Sequence, residues 1–152
     1  GAQPIIGYNF GARQYKRVEK TYKLSANIGI LFFLVALFFI QLFPQEIIGL
    51  FNKNPNIMKM SVTGVRIYLI AMPAIALGMA GSNYFLAIGK GKAAMFLSLL
   101  RQVVLLVPLI ILLSKTFGLI GIWMAQPICD LIAAGVTLYM VVNNLKIYRK
   151  LD

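Results

Sequence analysis

Histidine is absent from the 152 residues, and cysteine occurs once, at Cys129. Histidine-centred metal sites, a Ser/His/Asp triad and a Cys/His dyad therefore have no members here, so the common hydrolytic chemistries are excluded. Hydrolytic catalysis of those kinds, and a metal held by histidine, are not expected within this chain. No disulfide can form within the chain, and Cys129, beside Asp130 in an apolar block, reads as a small buried hydrophobe rather than a reactive thiol. Acidic residues are almost as scarce: four Asp and Glu against fifteen Lys and Arg give a formal charge of +11. In a soluble protein that excess would suggest nucleic acid. Here the basic residues sit in short loops between apolar blocks, without a basic stripe or interleaved stacking aromatics, and no nucleic-acid partner is expected.

Charge of either sign makes up only 12% of the chain, about half the ordinary share, and hydrophobic residues make up 60%. A soluble domain of about 150 residues leaves roughly 30% of its unfolded surface exposed and must coat it with polar groups. A mean hydropathy of +0.82 does not allow that coat. The apolar residues must face lipid, and because they are gathered in long blocks rather than alternating, the expected fold is all-α, a polytopic bundle of membrane helices.

Four blocks are long enough to cross a bilayer. Residues 24–43 and 67–88 carry no charge and would run about 30 Å and 33 Å as helices. Residues 93–114 and 119–142 are as long, each with one charge, Arg101 and Asp130 respectively. The remaining loops are too short for a second folded domain, so residues 1–152 form one unit. Residues 44–66 hold Pro44, Gly49, Asn52, Asn54 and Pro55 among apolar residues and read as a broken, partly helical segment at the interface. Residues 1–12 (GAQPIIGYNFGA) are too short to span and lack the basic leader and cleavage site of a signal peptide. They look like the cytoplasmic end of a preceding helix, which makes the chain a C-terminal piece of a longer membrane protein.

The basic residues give the orientation. Arg13, Lys16, Arg17, Lys20, Lys23, Lys90, Lys92, Lys146, Arg149 and Lys150 fall on one side of the four spans, and Lys53, Lys59, Arg66 and Lys115 on the other. The positive-inside rule then puts residues 13–23, residues 89–92 and the C-terminus in the cytoplasm, with the spans in the cell membrane.

Close helix packing in lipid requires small residues, and Ala74, Gly78 and Ser82 recur at i, i+4, i+8 on the second span. Nearly opposite lie Met72, Ala76, Met79 and Asn83, an adaptable stripe that suits a site repacking around varied apolar ligands, or else an ordinary packed or lipid-facing stripe. On the fourth span Trp123, Gln126, Asp130 and Thr137 share one face. A carboxylate at a helix centre costs about 2.5–3.5 kcal/mol on insertion scales, so Asp130 must face protein or a water-filled cavity. It reads as a proton or ion carrier, as counter-ion to a cationic substrate, or as structural partner of Arg101. Arg101 starts about 12 Å and Asp130 about 18 Å from the same membrane face, an offset that an Arg side chain can bridge. Pro73, Pro108 and Pro127 each fall inside a span, where they kink helices, either as static bends or as moving parts.

Four stretches in order, GAQPIIGYNFGA (1–12) before a basic loop, YFLAIGKGKAA (84–94), RQVVLLVPLIILL (101–113) and GLIGIWMAQPICDLIA (118–133), resemble the multidrug and toxic compound extrusion (MATE) transporters. The likeness covers the whole chain. It implies four complete transmembrane helices plus the end of a preceding one, within a twelve-helix transporter of two lobes related by a pseudo-two-fold axis. This chain resembles the second lobe from the end of its second helix onward, so the missing N-terminal lobe becomes a partner. The resemblance implies multidrug efflux by antiport, by a protein that is not an enzyme and needs no metal or cofactor: cationic or amphipathic drugs leave while sodium ions or protons enter, the lobes alternating in access. Met72, Met79, Asn83 and Gln126 are the candidate substrate contacts, and Asp130 with Arg101 the candidate ion-coupling site or structural pair. Some family members carry a carboxylate in the helix matching residues 67–88, and this chain has none there. A lipid-linked sugar flippase of the same superfamily, or a non-transporting membrane scaffold subunit, are the alternative readings.

Overall fold

A computed structural model describes residues 1–51 and 54–150, and among them it contains helices and no strand. Asn52 and Lys53, expected in the external connection, lie outside the described residues, as do positions 151 and 152. The order is α1 (Ala2–Gly11), α2 (Tyr15–Leu42), α3 (Pro44–Gly49), α4 (Pro55–Tyr68), α5 (Met72–Ala87), α6 (Gly91–Leu99), a π-helical segment (Leu100–Leu105) and α7 (Leu106–Arg149).

The short α1 is fixed by burial of Ile6, 1% exposed, and by Gly7, where an added Cβ would lie 3.2 Å from the carbonyl oxygen of Ala87 in α5. It ends in a left-handed turn: Arg13 has φ 58°, its N–H donates to Phe10 at 3.0 Å, and Gln14 N–H reaches Asn9 at 2.9 Å. The end of α5 closes in the same way on Gly89, with φ 76° and Lys90 N–H donating to Phe85 at 2.8 Å. Both turns satisfy carbonyls that a helix end would otherwise leave unpaired. The C-terminus of α7 meets them, since Tyr148 stacks on Tyr15 at 5.2 Å and lies under the Lys90 ammonium at 5.3 Å. The basic segments of the sequence are thereby gathered at one end of the bundle.

At 28 residues and a mean hydropathy of 2.2 in its most apolar stretch, α2 is long and apolar enough to cross a membrane. Phe32 and Leu31 on it are 69% and 62% exposed, as lipid-facing side chains are. The second crossing differs from a single helix over 67–88. Helix α4, capped by Asn54 accepting from the Asn56 N–H at 3.1 Å and with Pro55 in its first turn, continues towards α5 across a break with a bend of 47°. Pro73 therefore stands in the first turn of α5, where its missing N–H costs nothing, and the bend falls ahead of it. A reciprocal pair of hydrogen bonds, Gln41 Nε2 to the Arg66 carbonyl at 3.0 Å and Arg66 guanidinium to the Gln41 carbonyl at 3.1 Å, ties the end of α2 to α4.

The third and fourth crossings form one helical run, residues 91–149, broken inside α7 at Gly118 (φ 58°, ψ −132°). Only glycine adopts that conformation without strain. The chain folds back so tightly that a Cβ on Gly121 would strike the Leu113 carbonyl. Each arm is about 40 Å or longer, enough to span. Pro108 is the third residue after the π-helical segment, whose wider turn accommodates a residue that cannot donate to the preceding turn, whereas Pro127 lies buried within the second arm of α7.

The core sits toward the basic end, where α1, α2, α5 and α7 converge on Tyr84, Val18, Ile6 and Val141. Tyr84 is fully buried and its Oη donates to Asn144 Oδ1 at 2.9 Å. Further along, α5 meets α7 through Ala71, Ala74 and Ala134. The expected packing face of Ala74, Gly78 and Ser82 is corrected in part. Ala74 is on it, but an added Cβ on Gly78 would meet nothing within 4 Å, and the closest approach is at Gly81, where a Cβ would overlap the Thr137 methyl. Small residues at i and i+7 mark that contact because the neighbouring helix crosses the stripe at an angle.

Candidate functional site

Asp130 is held by the second arm of α7 at 2% exposure, facing the π-helical segment. Arg101 Nε donates to Asp130 Oδ1 at 2.7 Å. Gln126, one turn before Asp130, donates through Nε2 to both carboxylate oxygens at 3.2 Å and accepts from Tyr68 Oη of α4 at 3.2 Å. The Cys129 thiol donates to the Arg101 carbonyl at 2.9 Å, consistent with a small buried residue. A carboxylate with an arginine and an amide on its oxygens is charge-compensated and hydrogen-bonded, the condition for burying it. The same face of α7 presents Trp123 to α4, where an added Cβ on Gly64 would fall 2.8 Å from the indole, and Thr137 to α5. One polar stripe thus touches three other segments.

Beside this pair lies a cavity of about 210 Å³ lined by residues of α5, α6, the π-helical segment and α7. Met79, Asn83 and Arg101 are in its wall, and Gly78 and Ser82, expected at a packed interface, face it as well. Met79 is 52% exposed, and Asn83 is exposed too. Met72 and Gln126 do not line this cavity. Ala76, grouped with the methionine stripe by spacing, is instead buried, its Cβ where a side chain on Gly29 of α2 would lie 3.2 Å away. Ser98 and Gln102 complete the wall and were not singled out from sequence. With Arg101 they form an i, i+3, i+4 polar cluster on an otherwise apolar span, a signal that the lone charge obscured. Among the described residues no group of three or more His, Cys, Asp or Glu side chains is placed to hold a metal ion.

These features define a multi-pass helical membrane protein with a buried carboxylate paired to a half-buried arginine at the edge of a small polar cavity. The chain belongs to the MatE family, whose profile matches residues 1–112. It is 24% identical over 151 residues to the multidrug export protein MepA of Staphylococcus aureus strain MSSA476, covering 97% of this chain and 33% of that one. Among solved structures it is similar to an outward-facing multidrug resistance MATE family transporter of the MOP superfamily, with a TM-score of 0.93 at 24% identity over 98% of this chain and 34% of the other. It is also similar to the MATE multidrug transporter DinF-BH, with a TM-score of 0.87 at 30% identity over 96% of this chain and 33% of that one. The chain spans about a third of the length of the relatives it matches.

Proposed function

We propose that this chain is the C-terminal part of the second lobe of a multidrug efflux antiporter that exports cationic or amphipathic compounds in exchange for sodium ions or protons. The observation that carries the reading is the position of Arg101, which both lines the cavity and binds Asp130 at 2.7 Å. While Asp130 is ionised, its charge cancels that of Arg101, and a cationic drug meets a cavity wall of soft and amide side chains, Met79 and Asn83. A proton or sodium ion arriving at Asp130 competes with the guanidinium. The released Arg101 then adds a positive charge to the cavity wall, where low dielectric strengthens its repulsion of a bound cation. Ion entry and drug exit are coupled by exchange of partners at one carboxylate.

In this reading Gln126 holds the carboxylate and Met79 and Asn83 touch substrate, while Met72 contributes on the adjoining part of the same helix face. The missing N-terminal lobe closes the cavity from the other side. The basic end lies in the cytoplasm of the cell that exports the drug. The test is drug efflux from proteoliposomes of the full-length protein under an imposed ion gradient. Asp130→Asn should leave the protein inserted but make export independent of the gradient, whereas unchanged coupling in that variant would overturn the assignment. A second reading, a flippase for anionic lipid-linked sugars, is favoured by the single fact that Arg101 and not Asp130 lines the cavity. It predicts that Asp130→Asn increases transport of an anionic substrate and that Arg101→Gln abolishes it.

A further inference from the structure

A second built site, opposite in chemistry to that cavity, lies where the first turns of α2 meet the last turns of α7. One groove there, of about 550 Å³, is lined by Lys16, Lys20, Lys23 and Arg149, with Leu24 at its apolar edge. A second, of about 230 Å³, shares Lys23 and Arg149 with it, adds Lys146, and is walled by Leu138, Val142 and Leu145. The two grooves adjoin at Glu19, Lys23 and Arg149, and together they make a channel-like surface, cationic at the end of the bundle and apolar along the fourth crossing. Glu19 is the acidic residue in both linings, and it is already engaged by Lys23 Nζ at 2.6 Å. Lys16, Lys20, Lys146 and Arg149 supply an excess of positive charge around the channel. Tyr22, 4% exposed, closes the inner wall of its apolar part.

We propose that this channel binds an anionic phospholipid, its phosphate held by Lys20, Lys146 and Arg149 and an acyl chain lying along Leu138 and Val142. The chemistry recognised is a phosphate ester. The apolar wall extending into the membrane-crossing part of α7 selects the lipid over free phosphate, which would gain nothing from Leu138 and Val142. Basic pockets between membrane helices at a headgroup level attract anionic lipid with a strength that grows with each Lys or Arg. The site stands apart from the efflux reading and rests only on the chain's crossing a bilayer.

The test uses the full-length protein in detergent, loaded with phosphatidylglycerol or phosphatidylcholine, with bound lipid counted by native mass spectrometry. Phosphatidylglycerol should be retained over phosphatidylcholine, and Lys20→Ala or Arg149→Ala should each lower its retention about fivefold. Lys20→Arg should keep it, as should Lys115→Ala, remote from the channel. All three positions are exposed, so unchanged elution of each variant verifies that only the site has been altered. Equal retention of the two lipids, or loss of phosphatidylglycerol to millimolar inorganic phosphate, overturns the proposal, the latter outcome showing a soluble-anion site instead.

Discussion

Asp130 is nine-tenths buried and more, and its oxygens are occupied by Arg101 and Gln126. Removing Arg101 leaves the buried Asp130 carboxylate without compensation, which costs about 3–5 kcal/mol, whereas removing Asp130 leaves a guanidinium that faces the cavity. Arg101→Gln alone should therefore lower the yield of folded protein extracted in detergent, and adding Asp130→Asn should recover most of it. Additive losses in that double-mutant cycle would show that the two side chains do not depend on each other. On the proposed efflux reading, Met79→Ala and Asn83→Ala in the cavity wall of the full-length protein should change which drugs are exported more than how much protein accumulates, measured as resistance profiles at matched expression. Identical profiles would return these two residues to a packing role. Both charges were legible from sequence as the lone ionisable groups in their spans, at depths an arginine can bridge. Of the cavity wall, Met79, Asn83 and Arg101 stood out in the sequence, whereas Ser98 and Gln102, uncharged polar residues on either side of Arg101, were obscured by that lone charge.

Helix contacts in lipid depend on how closely backbones approach, and α5 shows where that matters. Gly81→Ala should lower thermal stability in detergent by about 1–3 kcal/mol, because its methyl group would overlap the Thr137 methyl, whereas Gly78→Ala, in open space, should be tolerated. Thr137→Ser, which removes the obstructing methyl and keeps the hydroxyl that donates to the Ala133 carbonyl at 2.8 Å, should rescue Gly81→Ala. Equal effects of the two glycine changes would contradict the packing described. The sequence pattern identified α5 as a packing helix but chose the i, i+4, i+8 stripe. The partner's crossing direction, which decides between Gly78 and Gly81, is a tertiary property. The break between α4 and α5 falls at residues 69–71, one turn ahead of Pro73, where a proline ring crowds the Leu69 carbonyl and leaves it without its helical donor, so the kink expected at Pro73 is present. Its size, a bend of 47° that divides the span into two helices, was not legible, because the sequence marks where a helix is weakened and tertiary packing decides how far it bends.

For the molecule as a whole, the gathering of Arg13, Lys90 and Tyr148 at one end ties three distant segments to one side of the bilayer. A membrane-impermeant thiol reagent added to intact cells should therefore label a cysteine placed at Asn54 and leave cysteines at Arg17 and Lys90 unmodified, with buried Cys129 giving little background. Labelling at 17 but not at 54 would reverse the topology. The long apolar segments and the gathering of basic residues towards one end of the bundle were readable from the order of residues, since lipid imposes length and apolarity on every span. The reversal at Gly118 carries a further consequence for how the protein enters the membrane during synthesis. Each of the last two crossings holds one charge that resists partitioning into lipid, and the tight hairpin brings those charges within 2.7 Å of each other. The two segments are suited to leave the translocation machinery together, as a neutral hairpin, rather than one after the other. A bulky residue at position 118, such as Gly118→Val, should then strand the Arg101 segment at the insertion stage, visible as incomplete integration in a cell-free membrane assay.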